Sequence, residues 1–271
     1  MLQTNDEYKD EVQRQWDRDA CGSQYVKRAE PGTLEWYLEA EAYRYGVYGP
    51  WMPEVMEFAK HGGRTVLEIG AGLGTDLAQF AKNGALTTDL DLSLGHLEHA
   101  RTNFRLRGLP GAFKHGDGET LLLPDNTFDV VYSNGVIHHT PNTHDVVAEI
   151  RRVLKPGGKA IIMVYAENSL HYWRTLVWDL GLNRGMLKGM SMGEVMSQHV
   201  ELSVHDSKPL VKVYTKSQLR QMFSAFTDIS VVQRQMVAEE LPRQLKWMPL
   251  DLAGRLMGWN LIIKAHKPRT S

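Results

Sequence analysis

Three glycines spaced two residues apart follow a short apolar run and could bind a ligand through the backbone. The run Thr65–Ile69 has the pattern of a buried strand, and Gly70, Gly72 and Gly74 come directly after it. Glycine lets a backbone approach a ligand closely, and the helix predicted next presents free N–H groups to an anion. A tight strand-to-helix turn without a ligand would use the same residues. The spacing is not that of dinucleotide-binding proteins, because Thr75 stands where their fingerprint has glycine.

Acidic residues at the ends of the next two predicted strands could hold other parts of the same ligand. Asp91 lies roughly twenty residues beyond the glycines, where a carboxylate accepts hydrogen bonds from ribose hydroxyls. Asp89 is the nearby alternative, and either residue could simply cap a helix. After the third strand, Asp117 could accept from an adenine amino group while the N–H of Gly118 donates to a ring nitrogen. The alternative for this Asp-Gly pair is a plain turn.

Two adjacent histidines, His138 and His139, follow the fourth predicted strand. Histidine near neutral pH suits the removal of a proton from an alcohol or phenol. The pair could equally shape a pocket without moving a proton. A metal site is disfavoured because His138, His139 and His144 lack a convincing ligand spacing and the chain has one cysteine. The sequence therefore predicts no metal.

An alternation of strands and helices must position these residues. Between about residues 64 and 168, five apolar strand patterns are separated by helical patterns, one of them capped by Ser93. Apolar strands joined by helices predict a parallel sheet that is covered on both faces. Ligands bind beyond the carboxyl ends of the strands in such sheets, so all four signals fall at one edge.

The regions on either side of this alternation differ in composition, which suggests a division of the chain. We predict four parts: a helical cap rich in Tyr and Trp over residues 1–62, the ligand-binding core over 63–168, an inserted lid or dimer surface over 169–214, and the completion of the sheet over 215–271. Within the cap, Thr33 is expected to begin a helix that runs to about Tyr45. A second helix is predicted over residues 53–60.

In combination, these motifs resemble the class I S-adenosylmethionine-dependent methyltransferases, in particular bacterial small-molecule members. The resemblance covers roughly residues 64–165 and rests on these segments: 66–74, 91–93, 116–118, 123–131, 136–141 and 154–158. It implies the fold of that family, an α/β doubly wound, seven-stranded, mostly parallel sheet with one antiparallel strand. It also implies S-adenosylmethionine as cofactor and S-adenosylhomocysteine as product.

The resemblance assigns a cofactor role to each matching residue. Gly70, Gly72 and Gly74 would line the methionine part, and Glu68 would orient the glycine loop and the cofactor amino group. Asp91, followed by Leu92, would hold the ribose, and Asp117 and Gly118 the adenine. Asn134 and Val136 would lie beside the methionine moiety and the sulfonium.

Fewer residues indicate where the methyl acceptor binds. His139 aligns with a position that faces the substrate in some related methyltransferases, and His138 is the alternative. Tyr25 is a third catalytic candidate because an aromatic face stabilises a nearby sulfonium, with Tyr45 and Trp16 as further candidates. Core packing is the competing explanation for these aromatic residues. Arg44 could pair with the cofactor carboxylate, although a surface salt bridge is the simpler expectation.

Composition narrows the function classes. Lys and Arg total 31 against 32 Asp and Glu, a formal net charge of -1, so the chain lacks the globally basic surface typical of nucleic-acid binding. No apolar run approaches the roughly 20 residues that span a bilayer. We expect a cytoplasmic methyltransferase that acts on a small-molecule oxygen, nitrogen or sulfur nucleophile, with a homodimer left open. The alternatives are methylation of RNA or protein, a non-catalytic S-adenosylmethionine-binding module, and a nicotinamide-dependent oxidoreductase, which the glycine spacing disfavours.

Overall fold

The computed structural model describes residues 9–10, 13–14, 16–17, 20–201 and 209–269 of the 271-residue chain. The strands of this part are β1 (Thr65–Ile69), β2 (Leu86–Asp91), β3 (Ala112–His115), β4 (Phe128–Asn134), β5 (Leu154–Ala166), β6 (Val213–Tyr214), β7 (Thr227–Arg234) and β8 (Asn260–His266). The α-helices are α1 (Leu34–Tyr43), α2 (Met52–Val55), α3 (Thr75–Lys82), α4 (Leu94–Arg107), α5 (Thr143–Val153), α6 (Met192–His199), α7 (Lys216–Met222) and α8 (Leu250–Met257).

The strands form one sheet in the order β3-β2-β1-β4-β5-β8-β7. Strands β1 to β5 pair in parallel, whereas β8 runs antiparallel to both of its neighbours. The predicted mostly parallel sheet with one antiparallel strand is confirmed. The two-residue strand β6 was not predicted and pairs in parallel with the end of β5.

Both faces of the sheet are buried, as the apolar strands predict. Val66 and Leu67 are adjacent on β1 and point to opposite faces, yet both are fully buried. Leu67 packs with Ile150 of α5 in one apolar cluster, and Val66 packs with Phe80 of α3 in another. The central strands are therefore rigid, and the residues that follow them are held at a fixed edge.

The predicted helix caps are confirmed at both positions named above. Thr33 accepts a hydrogen bond from the N–H of Trp36 at the start of α1, and Ser93 accepts from the N–H of His96 at the start of α4. Each side chain satisfies one of the free N–H groups of a helix N-terminus.

The predicted helix over residues 53–60 is wrong in its second half. Helix α2 ends at Val55, and a separate 3-10 turn covers Phe58–Lys60. The break lies at Glu57, whose φ of 63° is left-handed. This conformation places the carboxylate of Glu57 against the ammonium groups of Lys159 on β5 and Lys264 on β8. Two partly buried ion pairs therefore accompany the break in the helix.

The segment predicted as a lid has its own apolar cluster. It contains a π-helical segment, His171–Asn183, followed by α6. Leu176 and Leu180 pack against Val195 and Met196, while Trp178 is exposed. The domain division itself stays a prediction. None of the helices in the described ranges has the length and apolar character needed to cross a bilayer.

Candidate active site

A cavity of about 470 Å³ lies at the carboxyl ends of β1, β2 and β4. It brings together most of the residues predicted for the cofactor and the acceptor: Tyr25, Glu68, Gly70, Gly72, Asp91, Leu92, Asp117, Gly118, Asn134, Val136 and His139. Gly74 and His138 are not among its lining residues. Residues far apart in the sequence therefore meet where the strand ends predict a site.

The three glycines have different roles although all have a positive φ. A Cβ on Gly72 would meet no atom within 4 Å, so this glycine borders open space in the cavity. A Cβ on Gly70 would lie 2.5 Å from a methyl carbon of Val136. A Cβ on Gly74 would lie 3.1 Å from Ala100 of α4, so Gly74 allows the close packing of α3 and α4 rather than lining the methionine site.

Asp91 is the acidic residue of β2 that reaches the cavity. Its Oδ1 accepts from the N–H of Ser93 at 2.9 Å, and its Oδ2 lies 3.4 Å from the N of Gly72. Asp89, the alternative, is fully buried outside the cavity lining and accepts from the N–H of Ala71. Burial, together with the charge of Asp91, raises the pKa of Asp89 well above its ordinary value. Asp89 therefore supports the glycine loop from behind, and Asp91 faces the ligand space.

Two buried oxygen atoms in the cavity wall have no hydrogen-bond partner in the described part of the chain. They are Oε2 of Glu68 and Oδ1 of Asn134. Both side chains line the cavity. An unpaired buried acceptor is costly, so such atoms call for a donor from a ligand. The ammonium group of S-adenosylmethionine offers three N–H donors, and the residues present therefore fit the cofactor that the motifs imply.

Asp76 is a site residue that sequence reasoning missed. It lies in the first turn of α3 and is buried. Its carboxylate accepts from Arg44 at 2.6 and 2.5 Å, from Tyr45 at 2.6 Å and from Tyr132 at 2.7 Å. Desolvation alone would raise the pKa of Asp76, but the ion pair with Arg44 lowers this pKa below its ordinary value.

The expected surface salt bridge of Arg44 is therefore wrong, because its partner is a buried carboxylate. Tyr45, a candidate for the sulfonium, does not line the cavity and instead donates to Asp76. An acidic residue in the first turn of a helix is common, so the sequence alone did not single out Asp76 or its partner Arg44.

The part of the cavity predicted to bind adenine contains an ion pair. Lys9 lies 2.6 Å from Oδ2 of Asp117 and 2.6 Å from a carboxylate oxygen of Glu119. Oδ1 of Asp117 accepts from the N–H of Glu119. The carboxylate predicted to accept from adenine is thus paired with an N-terminal lysine. A Cβ on Gly118 would lie 3.3 Å from Ile69, so this glycine sits close against the end of β1.

At the opposite end, His139 is fixed through both ring nitrogens. Its Nδ1 is 2.7 Å from the carbonyl oxygen of Leu210, which can only accept, so Nδ1 carries the hydrogen. Its Nε2 lies 3.4 Å from Oε1 of Glu201, and the same oxygen accepts from the hydroxyl of Tyr165 at 2.7 Å. Glu201 lines the cavity and was not predicted, because its sequence neighbours carry no motif.

His138 lies behind the cavity wall rather than in it. Its ring is fully buried between His139 and Tyr165, with centroid distances of 4.2 and 4.1 Å. Burial, aided by His139, lowers the pKa of His138 well below its ordinary value, so the ring is neutral. The backbone of the same turn is tied to the segment before β6, since the N–H of Lys212 donates to the carbonyl of His138 at 3.1 Å. His139 is thus the histidine that can contact an acceptor.

Tyr25 and Trp16 contribute aromatic faces to the cavity lining. Tyr25 stacks on Tyr43 with a centroid distance of 4.1 Å. Burial raises the pKa of Tyr25 to about 12, so its hydroxyl stays protonated at neutral pH. Trp16 meets His139 edge-on at 6.1 Å.

Comparison with known proteins agrees with this geometry. Residues 67–162 match the profile of a methyltransferase domain family. This segment is a class I S-adenosylmethionine-dependent methyltransferase domain. Among similar proteins, a sterol 4-C-methyltransferase of Caenorhabditis elegans is 30% identical over 169 residues, which cover 59% of this chain and 50% of that protein. A demethylmenaquinone methyltransferase of Corynebacterium kroppenstedtii is 32% identical over 114 residues, which cover 42% of this chain and 47% of that protein.

The methyltransferase domain also has solved structural neighbours. An S-adenosylmethionine-dependent methyltransferase from Aquifex aeolicus superposes with a TM-score of 0.53 at 17% identity, covering 86% of this chain and 98% of that one. This likeness shows the fold alone. The chain spans about half the length of the curated methyltransferases named above. The domain family fixes the cofactor as S-adenosylmethionine, whereas the acceptor is a matter for proposal.

Proposed function

We propose that this chain transfers the methyl group of S-adenosylmethionine to a small-molecule nucleophile. The observation that supports this most is that one cavity contains both the unpaired acceptors of Glu68 and Asn134 and the polar pair His139 and Glu201. Bound S-adenosylmethionine supplies an electrophilic methyl group on a sulfonium. The protein has to hold donor and acceptor in line, and such positioning accounts for much of the rate of a displacement.

Different residues of the cavity wall would bind the different parts of S-adenosylmethionine. Glu68 and Asn134 would bind the ammonium group, and the free space at Gly72 would admit the methionine part. Asp91 would hold the ribose hydroxyls. Asp117 would bind adenine in place of its contact with Lys9. Lys9 could then keep its contact with its second partner, Glu119.

The shape of the cavity favours a small molecule as methyl acceptor over RNA or protein. Lys9, Trp16 and Tyr25 line the cavity together with the strand ends. A concave pocket of this size suits a small ligand, whereas a macromolecule needs an open groove. His139 would contact the reacting oxygen, nitrogen or sulfur atom, and Tyr25 would face the sulfonium. Because two relatives are named for sterol and demethylmenaquinone, apolar ring compounds belong among the acceptors to be tried.

Two measurements test this proposal. Calorimetry should show tight binding of S-adenosylmethionine and S-adenosylhomocysteine and weak binding of NAD; tight NAD binding would overturn it. Release of S-adenosylhomocysteine should then be assayed with phenols, amines, thiols, quinones, sterols and RNA. Turnover with RNA alone would favour the macromolecular alternative. Binding without release from any acceptor would favour a non-catalytic module. A cytoplasmic location and a homodimer remain predictions.

A further inference from the structure

Three potential metal ligands converge at the acceptor end of the cavity. His138 and His139 come from the turn after β4, and Glu201 comes from the segment after α6. Each offers one ligand atom, and these atoms all lie within 4.8 Å of one another. The sequence prediction of no metal considered the histidine spacing and the single cysteine, and it did not consider a carboxylate distant in the chain.

His138 is a buried polar side chain without a hydrogen-bond partner among the described residues. The ring is fully buried, and neither Nδ1 nor Nε2 has a hydrogen-bond partner in the described part of the chain. Buried polar groups are nearly always paired, because leaving one unpaired costs about 1–3 kcal/mol. A neutral imidazole nitrogen without a partner is also the form in which histidine binds a metal.

Nε2 of His139 faces the carboxylate of Glu201. Nδ1 of His139 contacts the carbonyl oxygen of Leu210, and Nε2 lies 3.4 Å from a carboxylate oxygen of Glu201. A metal ion between Nε2 and the carboxylate would bind to both, in the place that a proton would otherwise take. A metal-bound histidine typically donates its other N–H to a backbone carbonyl, as His139 does here.

We propose that His138, His139 and Glu201 bind a divalent first-row transition-metal ion such as Zn²⁺. Two imidazoles and one carboxylate on one side of an ion leave coordination positions open on the other side. His139 and Glu201 line the cavity, so an acceptor in the cavity would have access to an ion held there. The ring of Tyr165 stacks on Trp259. Its hydroxyl donates to Glu201 and thereby fixes the carboxylate.

The role of the ion rests on the proposed function, whereas its binding does not. An open coordination position would hold an oxygen, nitrogen or sulfur atom of the acceptor next to the methyl donor. Metal binding can therefore be measured without knowing the acceptor, and its failure would leave the proposed methyl transfer intact.

The test uses the purified full chain, stripped with EDTA and titrated with Zn²⁺ by calorimetry. The variants Glu201→Gln and His139→Gln remove ligands, and both keep side-chain volume. His144→Gln is the matched control, because His144 is an exposed histidine on α5. We expect one Zn²⁺ site in the natural chain, a weakening of about tenfold or more in both ligand variants, and no change in the control.

A spectroscopic readout accompanies the calorimetry. Co²⁺ bound by two imidazoles and a carboxylate should give a visible absorption band in the natural chain that Glu201→Gln loses. Affinity for S-adenosylhomocysteine shows that each variant is folded. No Zn²⁺ binding by the natural chain, or equal binding by Glu201→Gln, would overturn the proposal and favour a proton shared between His139 and Glu201.

Discussion

Arg44 and Asp76 form a two-point ion pair, with Nε 2.6 Å from Oδ1 and Nη2 2.5 Å from Oδ2. Arg44 begins a π-helical segment, Arg44–Tyr48, and Asp76 lies in the first turn of α3. The pair therefore joins this segment to the helix that follows the glycine loop. The hydroxyls of Tyr45 and Tyr132 complete the shell of the carboxylate.

Replacing Asp76 by Asn should destabilise the protein by about 3 kcal/mol, because the guanidinium of Arg44 loses its charged partner. Urea unfolding measures the change. Arg184→Gln is the matched control, since its pair with Asp179 is exposed and should contribute less than about 1 kcal/mol. Equal effects of the two substitutions would show that the Arg44 pair is no more than a surface contact.

Gly70→Ala should cost about 2 kcal/mol, because the new Cβ would press on Val136 and the left-handed φ strains alanine. Adding Val136→Ala should recover part of the loss, as expected for residues in contact. Gly32→Ala is the control, because Gly32 has a similar φ of 80° and open space at its Cβ position. A double variant no more stable than Gly70→Ala would contradict the contact.

Asp91→Ala should weaken S-adenosylhomocysteine binding about tenfold or more, the usual effect of losing hydrogen bonds to a charged group. Asp89→Asn, measured by the same calorimetry, should change stability more than affinity because Asp89 lies outside the cavity lining. If Asp91→Ala bound normally and Asp89→Asn did not, the ribose role would pass to Asp89.

His139→Ala should lower turnover about tenfold or more with any acceptor found in the panel, because the acceptor loses its polar contact. Affinity for S-adenosylmethionine should stay unchanged, since Glu68, Asn134 and Asp91 remain. Steady-state kinetics and calorimetry separate the two effects, with His144→Ala as control. Unchanged turnover would leave methyl transfer to positioning by the cavity alone.

Acid sensitivity should depend on Asp129, which lies on β4 and accepts from Lys155 and Thr65. Desolvation alone would raise the pKa of Asp129, but these contacts lower this pKa from 3.8 to about 2. The stabilisation is therefore present above pH 3.8 and is lost as the pH falls through about 2.

The variant Asp129→Asn should lack this contribution, which solvent screening of the partly exposed pair reduces to about 1 kcal/mol, and show a flatter stability profile in that window. Unfolding by urea at several pH values measures it, with exposed Asp251→Asn as control. Parallel profiles for the natural chain and Asp129→Asn would refute the assignment.

The sheet and the glycine loop were predictable because their signals are local. Strand patterns, helix caps and Gly70 with Gly72 are each encoded within a few residues. The roles of Asp76 and Glu201 were not predictable in this way, because each depends on a partner distant in the sequence. The same reason explains Gly74, whose function is to let α3 approach Ala100, and His138, whose ring direction is set by Tyr165.

The backbone hydrogen bond between Lys212 and His138 ties the histidine turn to the segment before β6. The same segment contacts His139 through the carbonyl of Leu210, so two of the bonds that fix the histidine turn come from the chain that returns from the predicted lid. Movement of residues 209–214 away from the turn would break both bonds. The orientation of His139 at the cavity wall therefore depends on a segment that does not itself line the cavity, so a substitution near Leu210 or Lys212 would act on the site from outside it.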